Sequence, residues 1–305
     1  MELFYSQVFT QEWTPLHGLI FLTITTVVFF FLHRHFSLPV LRLMSQWLRW
    51  LTFACFFSWI IKSGFGSLRP DWLHFVTGLA IWFMIETLIN RISIQLLNTS
   101  DVHLFPSYTT DAGENLWPIQ SRAMRIKKIL SEKDFRSIGI VKAQVHGHLK
   151  VRQALFLDAD KAIRLGVVFI PNAQNCIQLY FSLCSVSESG KLYITDNQNM
   201  PFGGYYPEHW SVQRNPLCHS LNRLILEHRK RMNRADQKWL SLEEDSTVVH
   251  SLNDNQRELE RKNRQMGFLL YPKSKEGKQI SPKGCFRIWT EMWLLAYLGK
   301  TLGNR

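Results

Sequence analysis

Seventeen consecutive residues, Leu16 to Leu32, carry no formal charge. Their β-branched and aromatic side chains point all round any helix they form. Such a run must leave water, and about 17 residues is the short limit for crossing the hydrocarbon of a bilayer. Pro15 suits a first helical position and Trp13 an interfacial one. A second run, Leu43 to Ile61, holds Arg49 near its start and tryptophans 47, 50 and 59 towards its ends. Arg49 can snorkel, and the indoles match interfacial belts; a re-entrant or surface-lying helix is the alternative. The third run, Trp72 to Leu97, is uncharged from Leu73 to Ile85. The expectation is an α-helical transmembrane region over residues 1–97, with two or three spans at about 15–33, 43–61 and 72–94. No early Lys or Arg and no small-residue cleavage site mark a cleaved signal peptide.

Charge divides the chain in the same place. Residues 1–100 hold 6 of the 36 Lys and Arg and 4 of the 24 Asp and Glu, so nearly all of the net charge of +12 lies beyond them. Arg34, Arg42 and Arg49 follow the first span. The positive-inside rule then puts the first loop in the cytoplasm and, with three spans, the soluble domain there too. The five cysteines show no short metal spacing, which fits reduced thiols in a cytoplasmic domain.

Residues 98–117 read as a polar linker and 118–305 as a soluble α+β domain. From 141 to 151 the odd positions are Val, Ala, Val, Gly, Leu and Val. The even positions from 142 to 152 are Lys, Gln, His, His, Lys and Arg. Period-two alternation predicts a sheet with one buried and one wet face. The stretch is long for one strand, which places a turn near His146-Gly147-His148. Further apolar runs, punctuated by Asp158-Ala159-Asp160, Pro171-Asn172 and Ser189-Gly190, extend this into an antiparallel meander of about five strands. Helices are expected at 118–132, from Pro216 to the basic run at 228–234, at 253–266 (almost wholly polar) and at 285–298, with 236–252 as a loop.

Several groups could carry function. Glu86 and Asn90 share a helix face at membrane depth, beside Arg91, where ionisable groups are rare and mark function or pairing. An ion pair from Glu86 to Arg49 or Arg91 would merely fix packing. The basic surface comprises Lys142, His146, His148, Lys150 and Arg152 on the sheet, then Arg229, Lys230, Arg231 and Arg234 on a helix. Beside a membrane such cations meet anionic head groups, at about 1 kcal/mol each. Tyr205, Tyr206 and Trp210, with Gly203-Gly204, form a candidate ligand loop. No metal site or cofactor is expected. Gly-x-Ser-x-Gly, His-Glu-x-x-His and Cys-x-x-Cys are all missing from the sequence.

Gly267 to Leu270 and Lys278 to Gly284, followed by an apolar helix, resemble the wing hairpin and closing helix of winged-helix DNA-binding domains. The helix before them shows no core stripe to serve as the recognition half. The first expectation is therefore a membrane-anchored binding, sensing or scaffolding protein with lipid and protein partners and no enzymatic activity. A membrane-tethered nucleic-acid-binding regulator is the alternative, and an enzyme on a lipid or membrane-delivered substrate the second alternative.

Overall fold

The computed structural model describes residues 15–36, 38–111, 117–147, 149–171, 177–242, 247–270 and 277–303. They form seven α-helices and a seven-stranded, mostly antiparallel sheet. Two compact units are present. One runs to Ile92 and includes Ala296–Gly299; the other comprises Ser93–Leu295 and the residues from Lys300.

The first unit contains α1 (Pro15–Phe36), α2 (Pro39–Phe65) and most of α3 (Asp71–Thr99). Proline occupies the first helical position of α2, where its missing N–H is no loss, and Gly66 closes that helix in the left-handed region (φ 59°). Among the described residues one helix, α3, is long and apolar enough to cross a membrane, and α1 holds the shorter apolar stretch Leu16–Leu32. Charges at Arg42, Arg49 and Lys62 lower the apolar character of α2. Helices α2 and α3 meet at Gly78, where a Cβ would lie 3.0 Å from Ala54 Cα and 3.2 Å from Phe57 Cβ. Small residues allow this backbone approach. Gly78→Leu is expected to separate the helices, making α2 and α3 protease-sensitive while unfolding of the sheet domain is unchanged. Gly64→Leu, where a Cβ meets nothing within 4 Å, is the control; equal sensitivity of both variants would refute the close crossing.

The second unit is layered. Its sheet runs in order β1 (Tyr108–Thr110), β2 (Arg136–His146), β3 (Leu149–Leu157), β4 (Arg164–Pro171), β5 (Ile177–Val186), β6 (Leu192–Asp196), β7 (Trp210–Arg214). Every pairing is antiparallel except β6–β7. One face, with Phe156, Leu165, Val167, Phe169, Leu179, Phe181 and Leu183, is covered by α4 (Ser121–Glu132) and α5 (Leu221–Ala235). The other is covered by α6 (Thr247–Gln265) through Val248 and Leu259. Strand β4 is buried over Arg164–Phe169 because both its faces are covered.

The structure departs from the sequence reading at definite places. The expected antiparallel meander of about five strands is present as β2–β6; the sheet reaches seven because β1 joins one edge and residues after Asp196 return to lay β7 parallel to β6 at the other. The expected turn is present: β2 ends at His146, Gly147 has φ 45°, and β3 begins at Leu149. The linker contributes β1, whose Tyr108 gives its N–H to, and takes a hydrogen bond at its C=O from, the Asn253 side chain at 2.6 and 3.0 Å. The loop assigned to 236–252 ends early, since α6 begins at Thr247. That helix does have a core stripe, masked in sequence because Asn253 and the fully buried Asn263 occupy inward positions. The wing-like segment is an isolated bridge, Leu269 to Ile280. It is clamped by Asn98, whose Oδ1 accepts from Gln279 N (2.8 Å) and Ile280 N (2.6 Å) and whose Nδ2 donates to Ile280 O (3.1 Å). Asn98 is 5% exposed. The last helix, α7 (Pro282–Trp293), continues as a π-helical turn, Leu294–Leu298.

Candidate functional site

The pairing of β6 with β7 sets Asp196 beside Arg214 on the face that α6 covers. Glu291 of α7 completes an ionic cluster: Arg214 Nη1 donates to Glu291 Oε1 at 2.7 Å, and Arg214 Nε lies 3.6 Å from Asp196 Oδ1. All three side chains are buried. Burial pushes the Asp196 carboxyl up from 3.8 to about 6. Arg214 and the Gln198 N–H pull it back, but Glu291 competes for the same guanidinium.

The cluster fastens the segment between β6 and β7. Glu291 Oε2 accepts from the N–H of Phe202 at 3.0 Å and from that of Gly203. Arg214 Nη2 donates to the carbonyls of Gln198 (3.1 Å) and Met200 (2.6 Å). Asn263 takes the N–H of Tyr205 and donates to its C=O, both at 2.8 Å. Arg287 donates to Gly203 O at 2.7 Å and its guanidinium lies 4.0 Å from the Tyr205 ring centroid. Tyr206 stacks on Trp210, which is 6% exposed. The candidate ligand loop is thus strapped down over most of its polar backbone. Asp196, Arg214 and Glu291 were not singled out in the sequence, because they are far apart in the chain and form no short motif. One signal existed: Glu291 stands alone as an acid in an apolar helix.

A second network crosses the opposite face. His228 is fully buried. Its Nε2 lies 3.0 Å from Ser185 Oγ, and its Nδ1 2.8 Å from Thr195 Oγ1. A serine beside a histidine invites comparison with an activated nucleophile. The directions of donation argue otherwise. Ser185 Oγ spends its hydrogen on Ala162 O (2.7 Å), so it accepts from His228 Nε2–H. Arg231 donates to Thr195 Oγ1 (2.6 Å), which leaves the threonine hydrogen for His228 Nδ1. In this chain of donors His228 cannot take the Ser185 proton. Burial, then the Arg231 charge, lower its pKa to about 3 and hold the ring neutral.

The basic residues divide by helical period. In the run 228–234, His228 and Arg231 face inward, with Arg231 also donating to Ile194 O (2.6 Å) and Ser211 O (2.8 Å). Arg229, Lys230 and Arg234 face solvent. On the sheet, Lys142 and Arg152 are cross-strand partners that converge on buried Asp111, each at 3.2 Å. The wet face is therefore one corner of a sheet whose same side is buried further along, and part of its charge is neutralised. His146 and Lys150 are exposed at the hairpin end, and His148 lies outside the described residues. Among the described residues no cluster of three metal-ligating side chains occurs.

In the helical unit Glu86 accepts from Trp82 Nε1 at 3.1 Å and from the Tyr297 hydroxyl. Trp47 Nε1 in turn donates to Tyr297 O at 2.9 Å. The expected ion pair with Arg49 or Arg91 is replaced by these neutral donors; Arg49 donates to Gln46 instead. Asn90 is half-buried and Arg91 exposed.

A groove of about 480 Å³ opens where Phe105 and Ser107, Gln144 of β2 and Gln256, Arg257 and Glu260 of α6 meet. No family model, curated protein or solved structure matches this chain.

Proposed function

We propose that this chain is a membrane-anchored binding or scaffolding protein, with α1–α3 seated in a bilayer as a multi-pass anchor and the α+β domain presented in the cytoplasm to a protein partner. One observation carries the reading. Helices α1 and α3 turn large apolar side chains outward along their length, among them Phe21 (64% exposed), Phe31, Met84 (69%), Leu88, Ile89 and Leu96. Soluble monomers rarely expose apolar patches beyond a few hundred Å². In lipid the same surface needs no cover, and all backbone groups of a helix are satisfied within it. Glu86, the acid at membrane depth, is half-buried and has two hydrogen-bond donors, as a carboxylate out of water requires. Orientation follows from Arg34, Arg42 and Arg49 after the first apolar run.

The test is alkaline carbonate extraction of membranes, with protease treatment of a C-terminal tag in intact cells and inverted vesicles. The chain is expected to stay in the membrane pellet, its tag protected in cells and cleaved in inverted vesicles. Release with soluble proteins would overturn the anchor. Cleavage in intact cells would put the domain outside and overturn its cytoplasmic placement.

A further inference from the structure

We infer that the outer surface of α4 and α5 is a docking face for anionic bilayer lipid, a deepening that rests on the anchor proposed above. The two helices lie side by side over the hydrophobic core of the sheet, so their opposite sides face outward. Together the helices carry nine cations and two carboxylates; of the cations, Arg231 is turned inward and Arg229 lies 3.9 Å from buried Asp158, and the others are left to the outer surface. One of those carboxylates, Glu227, is taken up by Asn215 (2.5 Å) and Arg223 (3.1 Å), and the other, Glu132, lies 3.8 Å from Lys128. A surplus of positive charge remains. Where the helices start, Arg122 Nη2 sits 3.2 Å from His219 Nδ1, and burial, then Arg122 and Arg125, lower the His219 pKa to about 4.

Charge alone would fit any polyanion. The apolar residues between the cations narrow the choice. Met124 (50% exposed) stands beside Arg125 and one turn before Lys128 on α4, and Leu226 (53%) lies between Arg223 and Lys230 on α5. Ile119 (93%) and Leu217 (39%) project just ahead of the two helices. Aliphatic tips ringed by cations match the head-group and acyl boundary of an anionic bilayer, where both terms add. Duplex nucleic acid offers phosphates but nothing to cover four apolar tips. Single strands would need exposed aromatics for stacking, and the exposed residues named on these helices are aliphatic or Met.

The full chain is reconstituted in vesicles of phosphatidylcholine alone or with phosphatidylserine, with an environment-sensitive fluorescent amino acid at position 119. The expected result is strong quenching by brominated acyl chains only in the phosphatidylserine vesicles. That quenching should fall about tenfold or more in Arg125→Glu/Lys128→Glu and be lost at high salt, since each cation near the surface contributes separately. Both replaced side chains are outward, so the fold tolerates the change; circular dichroism confirms it, and the aliphatic variant Met124→Ser/Leu226→Ser gives an independent loss of quenching. Equal fluorescence in both lipids, with the chain still resistant to carbonate, would overturn the docking face and leave the anchor standing. Extraction by carbonate would remove the anchor itself. Salt-sensitive binding of duplex DNA that displaces the probe from phosphatidylserine vesicles would overturn lipid as the occupant.

Discussion

Arg214→Met is expected to destabilise the sheet domain by about 3–5 kcal/mol, because it strands Asp196 and Glu291 in the interior without their counter-ion. It also removes the donors to Gln198 O and Met200 O. Against a typical domain stability of about 5–15 kcal/mol, that is a large fraction of the total. Asp196→Asn acts in the opposite sense at neutral pH. The carboxyl is held at about 6 in the fold against 3.8 ordinarily, so the fold binds the proton more tightly than the unfolded chain does. The stability it contributes is complete below about pH 4 and is lost as pH rises through about 6, a difference on the order of 3 kcal/mol. His219 and His228, with lowered pKa values, push the other way, their stabilisation fading as pH falls below the ordinary histidine range. The measurement is therefore a difference: denaturant unfolding of wild type and Asp196→Asn in detergent between pH 4 and 8. Wild type should lose stability relative to the variant as pH rises. Parallel curves would show that the carboxyl does not titrate in this range.

Gly203→Ala is expected to cost about 3 kcal/mol and to free the strapped loop. Gly203 has φ 66°, which disfavours a side chain by about 1–2 kcal/mol. Its added Cβ would lie 2.7 Å from Ile288 Cγ1 and 2.8 Å from Ile288 N, the latter an atom of the α7 backbone that cannot rotate away; overpacking of this kind adds about 1–3 kcal/mol. Gly190→Ala separates the two contributions, since Gly190 has φ 78° and nothing within 4 Å of its Cβ position. That variant should lose only the conformational part, about 1 kcal/mol. Equal losses in thermal unfolding would mean that the Gly203–Ile288 approach is looser than described.

The membrane-length helix, the hairpin at Gly147 and the α+β class were legible because each is written in local periodicity: an unbroken apolar run, an alternation of two, a glycine at a turn. What escaped is non-local. No pattern in residues 197–215 announces that β7 will return parallel to β6. Helix α6 hides its inward face because Asn253 and Asn263 satisfy backbone groups where apolar residues would have advertised a core. The basic strand positions read as one wet face, yet Asp111, thirty-one residues from Lys142, neutralises part of it. The α5 run divided itself correctly only once its helical phase was fixed by Leu224, Ile225 and Met232 in the core. The ionic cluster lay beyond reach, because nothing local ties Asp196 to a glutamate ninety-five residues later.

The asparagines that hold backbone amides, three of them buried and Asn253 half-buried, have a consequence for exchange with solvent. Asn253, Asn263, Asn98 and Asn197 hold the amide hydrogens of Tyr108, Tyr205, Ile280 and Phe181 at 2.6 to 2.8 Å. Tyr205 lies in a segment with no assigned helix or strand, and Ile280 sits in a single isolated bridge. Amides in such segments ordinarily exchange with solvent deuterium by local opening at little free energy. Here each can open only when a buried side-chain amide lets go, so these positions should exchange as slowly as the central strands β4 and β5. In deuterium-labelling terms, the slow-exchanging core of this domain extends into parts of the chain that look like loop.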